Sequence, residues 1–271
     1  MEPKLATRTI TKEVLIDAPV EAVWAALTTS EGLKRWFPID ARVEAREGAP
    51  VFVSWGPHCE GTGRVTGVVP HKLFRWVEPA PPAPGQPFNP GDMPIAIEWT
   101  LETRGGKTLL RMVQSGITAA NWADEYHDSL DYGWGFMLTN LRVYCERHRG
   151  QSRLVAWPRK NVPLARAAAW EQLLNRCDGL RAIAALKTGE TFSLNLAVPE
   201  KLEGTVEFMR PPRGFCLRLA NWNDALLWLS LEGSGNKTEV GFWLSAYSVP
   251  ESDVQQFEQR WCDALEKVFP A

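Results

Sequence analysis

The chain has 271 residues, a net charge of −2, 45% hydrophobic residues and 23% charged ones, a composition that suits a folded chain of one large domain or two ordinary ones. The near-balanced charge supplies no basic excess for a phosphate backbone, so nucleic acid is not an expected partner. No run approaches the ~18 apolar residues of a membrane span and the opening Met1 to Arg8 lacks a leader's apolar core; the expected location is the cytoplasm, with no membrane partner.

Residues 8–16, rich in β-branched side chains, read as a strand. Asp17-Ala18-Pro19 then supplies a capping side chain and a first-turn proline for a helix in which Val20, Val23, Trp24 and Leu27 share a face. Thr28-Thr29-Ser30 breaks it and caps a short second helix from Glu31 to Trp36, with Pro38 beyond. Val51, Val53 and Trp55 alternate with Phe52 and Ser54 as a strand. Residues 62–69 and 73–78 flank a turn at Pro70-His71-Lys72. The Pro-rich stretch from Pro79 to Pro94 reads as an exposed loop. Ile95, Ile97, Trp99 and Leu101 then alternate with polar residues, Gly105-Gly106 signals a hairpin, and 107–114 is the return strand. Asn121 to Asp128, which collects carboxylates and His127, reads as a solvated loop and helix N-terminus or as a general acid/base or metal set, and a long helix follows from about Asp128 to His148. Leu130, Trp134, Leu138, Leu141 and Cys145 form its stripe, Met137 and Tyr144 lie beside it, and Gly150 is placed to cap it. A sheet with one apolar face needs a cover, and this helix alone is long enough.

The second half repeats this order. Trp24–Leu27 is matched by Trp170–Leu173 and Gly32-Leu33 by Gly179-Leu180. Gly63, Pro70 and Phe74 are matched by Gly204, Pro211 and Phe215 at an offset of 141, and Leu101-Glu102 with Lys107-Thr108 by Leu231-Glu232 with Lys237-Thr238 at 130. The shorter offset means that the second copy has lost residues from the Pro-rich loop. Arg153 to Trp157 is its candidate opening strand, and Phe257, Trp261, Leu265 and Val268 form its closing stripe. The 13 tryptophans divide as seven in residues 1–150 and six in 151–271. The expected boundary is therefore Gly150-Gln151-Ser152, with a more typical copy in 1–150 and a degenerate one in 151–271.

Three segments of the first half carry a family resemblance: Ile16-Asp17-Ala18-Pro19-Val20-Glu21-Ala22-Val23-Trp24, Leu33-Lys34-Arg35-Trp36-Phe37, and Gly133-Trp134-Gly135-Phe136-Met137-Leu138-Thr139-Asn140-Leu141. They resemble the SRPBCC superfamily (START or Bet v 1-like), within it the bacterial proteins similar to the C-terminal domain of the activator of heat-shock protein 90 ATPase. The resemblance covers roughly residues 8–148. It implies an α+β fold of two tandem helix-grip domains, each a curved antiparallel sheet wrapped around a long C-terminal helix. The Gly-Trp pair is missing before the last helix of the second half, so the resemblance carries the fold there but no site.

The resemblance further implies a cavity between sheet and helix, open to a small hydrophobic or amphipathic ligand. Its lining in the first copy would be Trp36, Phe37, Trp55, Trp76, Trp99, Trp134, Met137 and Leu141, with Trp134, between Gly133 and Gly135, the foremost. Plain packing accounts for the same residues, since burying one aromatic ring stabilises by roughly 4–6 kcal/mol.

An enzyme of the cyclase or hydrolase kind would draw on Glu98, Asp124 or His127; chaperone modulation is a third role that the resemblance brings in. Arg147, Arg149, Arg153, Arg159 and Lys160 form a basic cluster at the junction, read as a docking place for an acidic partner or a phosphate, or as helix C-terminal charges and a solvated linker. Five cysteines, Cys59, Cys145, Cys177, Cys216 and Cys262, lie far apart without a CxxC, and His58-Cys59-Glu60 has no evident partner. With no nucleophile elbow, P-loop or dinucleotide fingerprint either, neither metal nor cofactor is expected.

Overall fold

The computed structural model describes residues 6–57, 59–80, 94–177, 179–195 and 201–270. The chain divides into two compact units, Met1–Gly150 and Gln151–Ala271. Each is an α+β helix-grip domain with its own antiparallel sheet and long closing helix. Among the described residues no helix is long and apolar enough to cross a membrane.

The first unit runs β1 (Thr7–Ile16), α1 (Val20–Thr28), α2 (Ser30–Lys34), β2 (Asp40–Arg42), β3 (Pro50–Ser54), β4 (Glu60–Val69), β5 (Leu73–Glu78), β6 (Ile95–Arg104), β7 (Lys107–Thr118) and α3 (Asp124–Arg147). The sheet order is β1-β7-β6-β5-β4-β3-β2. β6 and β7 turn over at Gly105 and Gly106, whose φ values of 58° and 81° suit a residue without a Cβ. Thr29 caps α2, its side chain accepting the Gly32 N–H at 2.9 Å. The Asp17 side chain does not cap α1; that position is Pro19, and Asp17 pairs with Lys107 at 2.9 Å.

Three sequence expectations shift locally. Trp55 lies just past β3 rather than within it, and the short β2 was not anticipated. The Pro-rich loop falls largely on residues outside those described. Asn121 to Asp128 is no loop: a 3-10 turn spans Asn121–Ala123 and α3 begins at Asp124. Asp124 and Glu125 in the first turn and Arg147 in the last complement the helix dipole.

The second unit runs β8 (Arg153–Ala156), β9 (Arg159–Val162), α4 (Arg166–Arg176), α5 (Leu180–Ala184), β10 (Thr191–Asn195), β11 (Lys201–Arg210), β12 (Gly214–Leu219), β13 (Ala225–Glu232), β14 (Thr238–Tyr247) and α6 (Glu251–Val268). Its sheet order is β10-β11-β12-β13-β14-β8, with β9 also on β14. Where β1 is continuous along β7, its counterpart breaks in two, because Pro158 lies between β8 and β9 and has no N–H for the ladder.

Fine detail repeats between the units. The register shift between Val65 and Gly67 recurs between Val206 and Phe208. Gly48 N–H donates to the Val65 carbonyl at 2.9 Å, as Gly189 N–H does to Val206 at 2.8 Å. The buried Thr108 hydroxyl donates to the Ala18 carbonyl at 2.8 Å, as the Thr238 hydroxyl does to Leu164 at 2.7 Å. Trp24 meets Phe74 edge-on at 6.2 Å, and Trp170 meets Phe215 edge-on at 6.4 Å. A Cβ on Gly63 would collide with the Val77 carbonyl oxygen, and one on Gly204 with that of Arg218. Gly63→Ala and Gly204→Ala should therefore each destabilise the chain by roughly 1–3 kcal/mol. Urea unfolding measures this, and an unchanged midpoint in either variant would show that the neighbouring strand yields.

Candidate functional site

Side chains alternate across a strand. The pairings Trp76 with Ile97, Phe74 with Trp99 and Ile97 with Gln114 therefore set one row on one face: Phe74, Trp76 and Glu78 from β5, Ile97 and Trp99 from β6, Met112 and Gln114 from β7. Helix α3 covers this face. The Trp134 Nε1–H donates to Gln114 Oε1 at 2.6 Å, and Asp131 pairs with Lys12 of β1 at 2.7 Å.

Six of the expected lining residues join ring to ring. Phe37 stacks on Trp36 at 5.0 Å and on Trp134 at 5.2 Å, and meets Trp55 edge-on at 5.1 Å. Trp134 meets Trp99 at 6.2 Å, and Trp99 lies 4.1 Å from Trp76. Met137 and Leu141 are buried on α3. All eight are buried except Trp55, which is half-buried.

Their polar atoms separate them. The Trp36 Nε1–H donates to the Ala26 carbonyl at 2.9 Å, and the Trp36 carbonyl accepts from Asn140 Nδ2 at 2.6 Å, so this ring is fastened into the frame. The Trp76 Nε1–H donates to Glu78 Oε1 at 2.7 Å. Trp99 is 0% exposed, and its Nε1–H is buried with no hydrogen-bond partner among the described residues. Glu78 is half-buried, and burial raises its pKa above the ordinary carboxylate value against the opposing pull of the Trp76 hydrogen bond. Tyr126, in the first turns of α3, is pushed up to about 12 by burial and by the charge of Glu78. Glu78, Gln114 and Tyr126 escaped the sequence reading. Glu78 stands two residues after Trp76, and Gln114 two after Met112, so alternation would have placed both on the inner face.

The polar residues suggested for catalysis do not converge. Glu98 alternates to the face opposite Trp99, where its Oε2 lies 3.7 Å from Arg75 Nη1. Asp124 pairs with Arg8. His127 lies in the first turn of α3. Among the described residues no group of three or more His, Cys, Asp and Glu could hold a metal ion. His58 lies outside the described residues; Cys59 is exposed, and Cys145 is buried with its thiol pushed up to about 12 by burial. The junction's basic residues are not one solvated cluster. The Arg153 guanidinium is held down to about 10 by burial, Arg159 lies 4.0 Å over the Trp157 ring, and Lys160 pairs with Glu266.

The second unit shows what the frame needs in the same places. Trp76, Glu78, Trp99 and Gln114 correspond to Leu217, Leu219, Leu229 and Leu244, on strands paired in the same register. All four leucines are fully buried, in one core with Phe257, Trp261 and Leu265 of α6. Helix α6 has 18 residues against 24 in α3, so with the C-terminal ends aligned the turns that carry Tyr126 have no counterpart. A cleft of about 530 Å³ in this unit opens elsewhere, at the start of α6, beside Lys201, Asn221, Trp222, Asn223 and Ser248.

The raised pKa of Glu78 has a stability consequence. A carboxyl whose folded pKa lies above its unfolded one favours the fold fully below the unfolded pKa and loses that contribution as pH rises through the folded pKa. Glu78→Gln removes the titration and keeps an acceptor for Trp76. Its Tm relative to the wild type should therefore climb as pH rises above the ordinary glutamate range; a pH-independent difference would show that Glu78 does not titrate abnormally.

No curated protein matches the chain. Among solved structures, the Aha1 dimer from Colwellia psychrerythraea is 23% identical, covering 53% of this chain and 99% of its own, with a TM-score of 0.43. A Bacillus halodurans protein is 25% identical over 51% of this chain and 97% of its own, with a TM-score of 0.42. DynU16, a putative protein in the dynemicin biosynthetic locus, is 14% identical over 96% of both chains, with a TM-score of 0.44. At these TM-scores the likenesses say nothing about ligand or partner. The family model described as Activator of Hsp90 ATPase homolog 1-like protein matches residues 17–146, nearly all of the first helix-grip unit. By that match the first unit of this chain is similar, over residues 17–146, to the Activator of Hsp90 ATPase homolog 1-like family.

Proposed function

We propose that the first unit is a non-catalytic binding module that holds a small hydrophobic or amphipathic molecule between the inner face of its sheet and α3. The second unit, Gln151–Ala271, serves as scaffold. One observation carries this reading. The same frame exists twice, and only in the first copy do two tryptophans, a glutamate and a glutamine occupy inner positions that the second fills with leucine. Buried polar groups cost stability unless well paired. The leucines of the second copy show that the frame does not require them, which favours a role in binding.

A chaperone partner, which the family's description names, is a second reading. The four substitutions named above lie on the face under the helix, which favours an enclosed small molecule.

Titration of the full chain with a panel of lipids and aromatic metabolites, read by tryptophan fluorescence and native mass spectrometry, should give a saturable signal and a 1:1 adduct. The combined variant Trp76→Leu, Glu78→Leu, Trp99→Leu and Gln114→Leu, which copies the second unit, should keep the far-UV circular dichroism of the wild type. It should weaken binding at least about tenfold, the effect of roughly 1.4 kcal/mol. No adduct with any member of the panel, or undiminished binding by a folded variant, would overturn the reading.

A further inference from the structure

Resting on that reading, we propose that the site reads a hydrogen-bond-accepting oxygen on a flat aromatic ligand, with the indole Nε1–H of Trp99 as the donor and the Glu78 carboxyl beside the neighbouring ring. Three observations carry this. The Trp99 ring is 0% exposed, and its N–H lacks a partner among the described residues. Most buried N–H groups are satisfied, so an orphan at a candidate site calls for a missing acceptor. The other fully buried indoles of the cluster are paired: Trp36 donates to Ala26, Trp76 to Glu78 and Trp134 to Gln114. Among the described residues of the cluster, Trp99 is therefore the buried indole donor left to a ligand, and its counterpart Leu229 has no donor to satisfy.

The flatness of the ligand follows from what surrounds the Trp99 ring. Trp99 lies 4.1 Å from Trp76, 5.9 Å from Phe74 and 6.2 Å from Trp134, each a ring-to-ring contact. A planar aromatic molecule replaces such contacts with equivalent ones of its own, whereas a branched aliphatic molecule does not. Glu78 adds selectivity. One of its oxygens already accepts from Trp76 at 2.7 Å, and its burial makes it a poor neighbour for a ligand carboxylate. A neutral carbonyl suits the Trp99 donor.

The matched pair 9-fluorenone and fluorene, which differ by the carbonyl oxygen, tests this with the full-length chain. The wild type should bind fluorenone about tenfold more tightly than fluorene by fluorescence titration. Trp99→Phe keeps a ring and removes the N–H, and should bring the two affinities to within about twofold. In the proton–nitrogen spectrum, the indole resonance that disappears in Trp99→Phe should move downfield on adding fluorenone to the wild type. Equal wild-type affinities, or a preference that persists in Trp99→Phe, would overturn the assignment. The wild-type comparison and the resonance decide the matter even if that variant fails to fold. Failure to bind fluorenone while members of the lipid and metabolite panel bind would sink this inference alone; failure to bind anything would remove the binding reading with it.

Discussion

Where α3 crosses the inner face of the sheet, Trp134 is held from three sides. Its Nε1–H donates to Gln114 at 2.6 Å, its ring stacks on Phe37 at 5.2 Å, and it meets Trp99 at 6.2 Å. The rest of the first unit depends on that crossing. A seven-stranded sheet cannot leave its apolar face to water, and α3 is the one element of 24 residues available to cover it. Asn140, one turn and a half further along the helix, donates to the Trp36 carbonyl at 2.6 Å, while the Trp36 indole donates to Ala26 of α1. The same helix thus fixes both the sheet and the short helices, and the aromatic cluster lies where all three meet.

Within that frame, the filling of the first unit is not the most stable one available. A buried donor without a partner costs about 1–3 kcal/mol, and a carboxyl in apolar surroundings adds a desolvation cost that its bond with Trp76 offsets only in part. The second unit places leucines at the equivalent positions and incurs neither cost. Sites that bind often carry such local destabilisation, because groups arranged for a ligand are left unsatisfied by the fold. Two copies in one chain make the comparison direct: the same bulge, the same close-approach glycines and the same buried threonine bonds hold both frames, so the differences on the inner face are not forced by differences in the frame.

Much of this was readable in the sequence because it rests on local rules. Strand alternation marked β6, the glycine pair marked the hairpin, the apolar stripe marked α3, and the offsets of 141 and 130 marked the repeat. The inward side of Trp76 and Trp99 was legible for the same reason, since large apolar side chains point where the period points. What escaped was polar. Glu78 at a strand end looks like an ordinary exposed terminus until the Trp76 hydrogen bond and its burial are seen. Tyr126 was hidden because the acidic run around it resembles a solvated loop, although the same acidic residues suit a helix N-terminus. Pro158 hid β9, since a proline normally ends a strand; here the strand resumes after it on the same partner, β14.

The positions shared by the two copies and the positions that differ do different physical work. Gly63 and Gly204 let a neighbouring carbonyl approach, and Thr108 and Thr238 satisfy a carbonyl where the chain leaves its opening strand; these are backbone constraints, indifferent to what fills the interior. Trp76, Glu78, Trp99 and Gln114 satisfy no backbone group in any of the bonds described above: their polar atoms bond each other or a helix side chain, and the Trp99 N–H has no partner among the described residues. Side chains of that kind can change together without disturbing the frame, which is how one copy can carry leucine at all four positions and the other two tryptophans, a glutamate and a glutamine. The inner face of the first sheet is therefore where this chain is free to acquire chemistry, and the unpaired N–H of Trp99 is where that chemistry is least explained by packing.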